Sequence, residues 1–320
     1  PDRVVDKPAR IEWMGAGIRA SWIERRTGIR ERRWVSDGEA CSDLAIRSAE
    51  KTFSRLAADA RDRVRQVVLG TVSGDYPTPP TSPLLQEKLR LRDCGAFDLG
   101  AACAGFPTGI HVSAALVGAT GGDHLLVSAE VRSKFVSKTD FNTAVLFGDG
   151  AASAIVSSDR EGADFRVVGS MLGADGSVFD LIKIPSGGSR SPFGAGTEES
   201  DARLRMEDGA AVFLKAVHAM TELPGRLLSA LGPRFRFEEI RWIVPHQANL
   251  LLLRELEKRI PGAVGKVVET VSTTGNTSGA SVGIALDRLR ENPESKPGDL
   301  VLLASAGGGG IAAATVLERV

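Results

Sequence analysis

This chain has few cysteines, no excess charge of one sign and no long apolar run. Each of these features argues against a class of protein. Three widely spaced cysteines among 320 residues predict neither a disulfide framework nor a paired-cysteine metal site. The 40 basic side chains are balanced by 40 acidic ones, which gives no electrostatic case for binding nucleic acid. No apolar run approaches the ~20 residues of a membrane helix, and the first residues lack the apolar core of a signal peptide. We therefore expect a cytoplasmic enzyme or binding protein that uses no metal, membrane or nucleic acid.

What remains is the pattern of an α/β protein, in which short β-branched runs alternate with longer helical stretches. The two halves of the chain also resemble each other weakly, in the same order of segments. Segments from any two α/β halves show similarity as weak as this. The argument for duplication therefore depends on the matches occurring in the same order in both halves. The matching segments are 63–70 with 239–246, 102–110 with 276–284, 123–129 with 299–305, and 148–156 with 308–316.

The repeat predicts two similar halves, residues 1–160 and 161–320, packed about a pseudo-twofold axis. The polar stretch 157–164 is the predicted boundary between them. Within the second half, the Gly-, Ser- and Pro-rich segment 185–197 predicts a surface loop, and a helix is expected over 203–219.

One cysteine stands at a predicted strand-to-helix turn. Cys103 lies in ACAGF (102–106), after the strand-like run 96–100 and before a helix that Gly105 and Pro107 suit. A helix N-terminus and a neighbouring imidazole both lower the pKa of a thiol and favour the nucleophilic thiolate. A cysteine among small apolar residues is otherwise more often structural, so its partners decide between the two interpretations.

A histidine and an asparagine are the candidate partners. His246 ends an apolar strand in VPHQAN, and a polar residue at such a strand end faces the ligand crevice of an α/β sheet. Asn276 lies in TTGNTSGAS, a composition that by itself marks a turn and a helix cap. Aligned without gaps, the repeat places Asn276 opposite the Cys103 turn. We therefore predict that these three side chains meet between the halves.

Four consecutive glycines, residues 307–310, follow the last but one predicted strand. They lack the Lys-Ser/Thr ending of a phosphate-binding P-loop. Backbone N–H groups in such a run could instead donate hydrogen bonds to a developing oxyanion. A structural glycine hairpin is the alternative interpretation.

The motifs ACAGF, GDGA, HQAN, GNTSGAS and GGGG together resemble those of the β-ketoacyl-acyl-carrier-protein synthase III family of the thiolase superfamily, over essentially the whole chain. WIERRTGIRERR (22–33) resembles the N-terminal motif of that family, and a strand usual in the family is expected to be missing before Pro1. The resemblance implies a five-layered αβαβα fold of two duplicated halves, a homodimer and no tightly bound cofactor. It implies that Cys103 accepts an acyl group from an acyl-coenzyme A. His246 and Asn276 would then hydrogen-bond a malonyl thioester during a decarboxylative Claisen condensation, which initiates a fatty acid or a specialised polyketide.

The same resemblance assigns further contacts. The backbone N–H groups of Cys103 and Gly308 would hold the acyl oxyanion. Phe141 stands where the family often has an arginine, so it could stack on the adenine but carries no charge. The residues expected to contact coenzyme A are Trp22, Arg26, Phe141 and Asn249.

Two departures from the family pattern concern the substrates. Leu251 replaces a basic residue that commonly helps to dock acyl carrier protein, although Lys258 and Arg259 keep positive charge on the predicted helix 250–259. Thr78 replaces a phenylalanine that some members donate across the dimer, which predicts an acyl pocket different from an acetyl-selective one.

Three other functions remain open at this stage. An acyltransferase would move the acyl group from Cys103 to an alcohol or amine, with His246 as the base. A condensation without decarboxylation would join two acyl thioesters. A non-catalytic partner subunit of the same fold is the fourth possibility, against which the intact set of Cys103, His246 and Asn276 argues.

Overall fold

The computed structural model describes residues 1–15, 20–159 and 161–320. The α-helices are α1 (Lys7–Met14), α2 (Ala20–Thr27), α3 (Cys41–Phe53), α4 (Ala60–Arg63), α5 (Ser82–Lys88), α6 (Gly105–Thr120), α7 (Phe141–Ala144), α8 (Gly209–Leu231), α9 (Leu250–Arg259), α10 (Val271–Thr274) and α11 (Ser281–Arg290). The strands are β1 (Arg3–Asp6), β2 (Glu31–Trp34), β3 (Val64–Gly70), β4 (Gly95–Leu99), β5 (Asp123–Glu130), β6 (Gly150–Val156), β7 (Phe165–Ala174), β8 (Ile182–Lys183), β9 (Arg205–Met206), β10 (Ile240–Pro245), β11 (Leu300–Ala306) and β12 (Ile311–Arg319).

Five layers are formed by two four-stranded sheets and the helices around them. The first sheet has the order β4-β3-β5-β6 and the second the order β10-β11-β12-β7. In each sheet the strands before and after a crossover helix are parallel, and the following strand returns antiparallel. Helix α3 covers the outer face of the first sheet, and α8 with α9 covers that of the second. Helices α6 and α11 lie between the sheets and contact both.

The middle layer explains the apolar character of its helices. The segment Ala102–Thr120, which includes α6, is long and apolar enough to cross a membrane by length and composition. In the structure it packs between the two sheets instead, where both of its broad faces are covered. Strand β5 is buried along its whole length for the same reason, because a central parallel strand is covered by helices on both sides.

Most predicted elements lie where the sequence placed them, and one does not. The predicted helix 250–259 is α9, and the strand predicted at 239–246 is β10. The helix predicted over 203–219 is wrong at both ends. Arg205 and Met206 form β9, and α8 begins after Asp208, whose carboxylate accepts the N–H groups of Ala210 and Ala211. The helix then continues to Leu231.

The connection between the two sheets runs from the end of β6 at Val156 to the start of β7 at Phe165. We propose it as the boundary between the halves 1–160 and 161–320. Within the described residues, the first sheet has no strand in the place that β7 takes in the second.

The repeat is visible in two strained turns, with a register that the sequence did not predict. Ala102 and Ser278 have left-handed φ values of 44° and 51°, and each opens a short 3₁₀ turn before a middle-layer helix. Cys103 therefore corresponds to Gly279, two residues later than the gapless alignment placed it. Asn276 lies just before the second turn rather than opposite Cys103. Non-glycine residues in this conformation cost about 1–3 kcal/mol each and cluster at functional sites.

Gly279→Ala tests how tightly these turns are packed. A Cβ at Gly279 would lie 2.7 Å from the carbonyl oxygen of Ala102 and 3.0 Å from Oγ of Ser128. Because a backbone atom must move, we expect the free energy of unfolding in urea to fall by about 1–3 kcal/mol.

Gly118→Ala is the matched control, because a Cβ there meets no atom within 4 Å and the position lies inside α6. Removing a helical glycine should raise the free energy of unfolding by about 0.5–1 kcal/mol. Equal effects of the two substitutions would contradict the packing argument.

Candidate active site

Cys103 is held at the junction of the two halves. Its Sγ lies 3.7 Å from Oγ of Ser278, and the backbone N–H of Gly308 lowers the pKa of the thiol slightly. Its carbonyl oxygen accepts the hydroxyl of Ser305, at the end of β11, at 2.7 Å. The cysteine thus belongs to the first half by sequence, while its contacts come from the second.

The ionisation of this thiol differs from the sequence prediction. Burial raises the pKa of Cys103, and this effect outweighs the hydrogen bond from Ser278 and the charge of Arg132, which both lower it. The carboxylate of Glu130 raises it further. The expectation of a lowered thiol pKa is therefore wrong. The sulfur is a protonated thiol at neutral pH.

His246 follows β10, and its backbone N–H donates to the backbone carbonyl of Ala304 at 2.8 Å. Its Nδ1 lies 2.8 Å from Oγ of Ser281, which also accepts the N–H of Gln247 at 3.3 Å. Among the described residues, Nδ1 is the acceptor within reach of the Ser281 hydroxyl proton. Burial lowers the pKa of His246 to about 4, so the ring is neutral at pH 7. We assign the single ring proton to Nε2, because Nδ1 is engaged with the Ser281 hydroxyl.

Gln247 fixes the strand end that carries His246. Its buried amide nitrogen donates to the carbonyls of Pro245 and Val268 at 2.8 and 3.1 Å. Its oxygen accepts the N–H groups of Thr270 and Val271 at 2.9 and 3.2 Å. One side chain therefore satisfies four backbone groups and joins β10 to the segment that leads to Asn276.

Asn276 is oriented from both sides. Its Oδ1 accepts the N–H of Ser278 at 2.8 Å, which makes it the turn-forming residue that its composition predicts. Its backbone bonds to Leu146 and Gly148, each at 3.0 Å. With the oxygen engaged, the side-chain N–H₂ remains as the donor for a ligand.

The segment 276–281 brings the three predicted side chains together. Asn276 begins it, Cys103 contacts Ser278 within it, and His246 contacts Ser281 at its end. It also forms the start of α11. One short strained segment therefore contacts all three.

Glu130 is a part of this site that the sequence prediction missed. It ends β5, is fully buried, and accepts hydroxyls from Ser73 at 2.5 Å and from Ser278 at 3.3 Å. Burial raises the pKa of this carboxyl group. The strand-end rule that selected His246 would have selected it too. Other contacts missed at that stage are Arg132, Gln247, Ser278 and Ser281.

The glycine run packs directly on the cysteine. A Cβ at Gly307 would lie 2.8 Å from the backbone nitrogen of Cys103. Gly309 and Gly310 have φ values of 79° and 77°, a conformation that favours glycine. The run is thus both a tight turn and a source of N–H groups beside the sulfur.

The residues predicted to contact coenzyme A surround α2. Arg26 stacks over the Trp22 ring at 5.4 Å, and Phe141 is 41% exposed at the start of α7. Asn249 caps α9 by accepting the N–H of Leu252 at 2.9 Å. Helix α2 packs against both α7 and α9, so the elements that carry these four residues are neighbours in the fold.

The positions that depart from the family pattern are on the surface. Leu251 is 47% exposed, and the nearby cations Lys258 and Arg259 both pair with Glu255. Thr78 is exposed. Across residues 1–15, 20–159 and 161–320, no group of three or more His, Cys, Asp or Glu side chains could hold a metal ion.

A thiol and a neutral imidazole that contact one segment of the middle layer, with an amide inside that segment, suit the class of thiolase-fold enzymes that transfer acyl groups. Family models for 3-oxoacyl-[acyl-carrier-protein] synthase III and for its C-terminal part match residues 97–176 and 234–319. The chain belongs to the 3-oxoacyl-[acyl-carrier-protein] synthase III family, and is an enzyme of the acyltransferase class.

Members of this family match nearly the whole length of the chain. The β-ketoacyl-[acyl-carrier-protein] synthase III of Chlamydia caviae is 37% identical over 93% of this chain and 88% of its own length. The 3-oxopimeloyl-[acyl-carrier-protein] synthase of Rhodothermus marinus is 36% identical over 94% of this chain and 86% of its own. The solved β-ketoacyl-[acyl-carrier-protein] synthase III of Thermus thermophilus is 34% identical, with a TM-score of 0.88 over 100% of this chain and 96% of that one. The fold is the five-layered thiolase fold.

Alkylation of Cys103 by iodoacetamide tests the electrostatics of the site. Because the thiolate is the reactive form, the rate should rise with pH to a midpoint above that of an exposed cysteine. Glu130→Gln removes a charge that raises the thiol pKa, so the midpoint should move to lower pH. Peptide mass spectrometry after timed quenching separates Cys103 from Cys41 and Cys94.

Glu255→Gln is the control for a lost surface carboxylate on α9 and should leave the midpoint unchanged. A midpoint that stays fixed or rises in Glu130→Gln would show that the buried carboxylate does not act on the sulfur.

Proposed function

We propose that Cys103 takes an acyl group from an acyl-coenzyme A and that His246 and Asn276 then hold a malonyl thioester for decarboxylative condensation. The observation that carries this proposal is the contact of Nδ1 of His246 with Ser281 in a neutral ring, to which we assign a proton on Nε2. An Nε2–H and an amide N–H₂ are two donors for one oxygen. They suit the enolate oxygen that forms when carbon dioxide leaves.

In the first stage, the Cys103 sulfur attacks the carbonyl carbon of the thioester. The backbone N–H groups of Cys103 and Gly308 hold the resulting oxyanion. The carbon–sulfur bond to coenzyme A then breaks, and coenzyme A leaves as a thiol with the proton that Cys103 gives up. The raised pKa of Cys103 fits this exchange of one neutral thiol for another.

In the second stage, the malonyl thioester loses carbon dioxide and becomes an enolate bound to His246 and Asn276. Its carbanion attacks the acyl carbonyl on Cys103, and the new carbon–carbon bond forms. The carbon–sulfur bond to the enzyme breaks, and the thiolate of Cys103 that leaves takes up a proton from water.

Direct transfer to an alcohol or amine fits the geometry less well. Such an acceptor must give up a proton to a base. The neutral His246 carries its proton on Nε2, while Nδ1 is already occupied by Ser281. Its free nitrogen therefore donates rather than accepts.

Asn276→Ala separates the two stages. We expect Cys103 to be acylated by acyl-coenzyme A at nearly the wild-type rate, because the first stage does not use this amide. Release of labelled carbon dioxide from a malonyl thioester should fall roughly 100-fold, the usual effect of losing one oxyanion donor. Mass spectrometry of the intact protein and trapping of labelled gas measure the two stages.

Asn292→Ala is the matched control, since the Oδ1 of Asn292 accepts the N–H of Glu294 in the same kind of turn, after α11, and its loss should keep the wild-type ratio of gas release to acylation. Failure of every acyl-coenzyme A to acylate wild-type Cys103 would refute the proposal. Acylation followed by transfer to an alcohol or amine, without gas release, would favour the acyltransferase instead.

Coenzyme A is proposed as part of the substrate and not as a resident cofactor. Trp22 in α2 and the exposed Phe141 at the start of the neighbouring α7 offer aromatic rings, and Arg26 offers a charge beside Trp22. An adenine and its phosphates suit that combination.

Trp22→Ala tests this contact through a substrate that lacks the nucleotide. We expect kcat/KM for acyl-coenzyme A to fall roughly tenfold, because a stacked ring contributes about 1–3 kcal/mol. The value for the matching acyl-pantetheine should stay unchanged. Equal losses with both substrates would mean that Trp22 supports the fold and not the nucleotide.

The malonyl unit is proposed to arrive on acyl carrier protein. Arg254 is an exposed cation one turn along α9 from Leu251 and could meet an acidic carrier. The name of the Rhodothermus marinus relative specifies an acyl product, 3-oxopimeloyl, so family membership alone leaves the acyl group of this chain open.

A homodimer is proposed from the edge of the first sheet. Strand β4 pairs on one side with β3, and its residues Ala96, Phe97 and Leu99 are half-buried. The nearby Tyr76 is 69% exposed. An open edge of this kind can pair with its twofold copy and bury the aromatic ring.

The three cysteines are free thiols, which suits the reducing cytoplasm. We therefore place the enzyme there, as a soluble protein.

A further inference from the structure

Arg132 is a buried cation beside the thiol that the proposed reaction does not use. It follows the end of β5 and is 5% exposed. Its Nε is fully buried without a hydrogen-bond partner. Over the described ranges, its guanidinium makes no hydrogen bond and no ion pair at either terminal nitrogen. The charge nevertheless acts on the sulfur of Cys103.

The neighbouring buried acids are committed to other donors. Glu130 accepts the hydroxyls of Ser73 and Ser278. Asp149 accepts both the N–H and the hydroxyl of Ser133, at 2.8 and 2.6 Å. A desolvated cation without a hydrogen-bonded anion is costly. The guanidinium therefore has unused capacity for one.

Aromatic rings hold the guanidinium in place. Its carbon lies 5.6 Å from the ring centre of Phe147 and 5.8 Å from that of Phe135. Phe147 belongs to an apolar cluster with Val136 and Leu204, against which Ile182 also packs. The cation thus lies on an otherwise apolar wall.

That wall adjoins the reacting atoms. Phe147 forms a parallel bridge with Asn276 along the backbone. At the other end, a Cβ at Gly308 would lie 3.1 Å from the side chain of Ile182, and a Cβ at the adjacent Gly307 would lie 2.8 Å from the backbone nitrogen of Cys103. An acyl chain on the sulfur would therefore lie against this cluster.

We propose that Arg132 binds a carboxylate at the far end of the acyl chain, so that the preferred acyl donor is the coenzyme A thioester of a short dicarboxylic acid. This inference rests on the proposed acylation of Cys103. The apolar wall accommodates the methylene groups between the two ends. A largely buried guanidinium whose terminal nitrogens remain accessible can bind the terminal carboxylate through two parallel hydrogen bonds.

The test measures the acylation of Cys103 alone, so a contact between Arg132 and the malonyl unit has no part in it. Succinyl-, glutaryl- and adipyl-coenzyme A are each compared with the branched acyl-coenzyme A in which an isopropyl end replaces the carboxylate. In the wild type, at least one dicarboxylic donor should acylate Cys103 roughly tenfold faster than its isostere.

Arg132→Leu should lower that ratio roughly 100-fold, because a buried carboxylate loses its charged partner. Arg132→Lys should fall between, since it keeps the charge and loses the fork of donors. Arg288→Leu, which removes an exposed arginine from α11, should keep the wild-type ratio. Thermal unfolding curves establish that each variant is folded.

The outcomes separate this inference from the proposed function. If the isosteres acylate the wild type as fast as the dicarboxylic donors, the inference is overturned while Cys103 remains the nucleophile. If Arg132→Leu slows both donors equally, the charge acts on the thiol and not on a substrate, which also overturns it. If no thioester acylates Cys103, the proposed function itself fails.

Discussion

The contact between two strained turns at the centre of the molecule is the constraint on which the rest of the structure depends. The turns that begin at Ala102 and Ser278 approach so closely that Gly105 and Gly279 face each other without side chains. Each turn starts a helix of the middle layer, so the position of that layer and the position of the sulfur of Cys103 are set together. A shift of one turn relative to the other would change both the packing of the sheets and the site.

The burial produced by this packing has opposite effects on the two ionisable groups of the proposed reaction. It raises the pKa of Cys103 and lowers that of His246, so both groups are neutral at pH 7. A resting thiolate–imidazolium pair, as in many cysteine enzymes, is therefore not formed. The neutral histidine remains a hydrogen-bond donor through Nε2, which a condensation needs and a proton-accepting transfer does not.

Local sequence pattern was enough to predict the three central residues of the candidate site. Strand ends, the helix start at Gly105 and the order of the motifs selected Cys103, His246 and Asn276, and the structure brings all three to one segment. The predicted register of the repeat was wrong by two residues, because a gapless alignment contains no information on which residue adopts the left-handed conformation. The thiol pKa was wrong because it depends on burial and on Glu130 and Arg132, which reach the sulfur through the fold and not through the sequence around Cys103.

Glu130 and Arg132 lie close together but have different parts in the proposals for the reaction and for the choice of substrate. Both lie at the end of β5 and act on the same sulfur with opposite sign. The carboxylate is held by two hydroxyls, while the guanidinium is held by aromatic rings and keeps its donors unused. The protein has therefore already desolvated the cation before any substrate arrives. A carboxylate that reaches it loses its own water but meets a guanidinium that the fold has already fixed and largely buried, and this preorganisation favours binding of a charged acyl end beside an apolar wall.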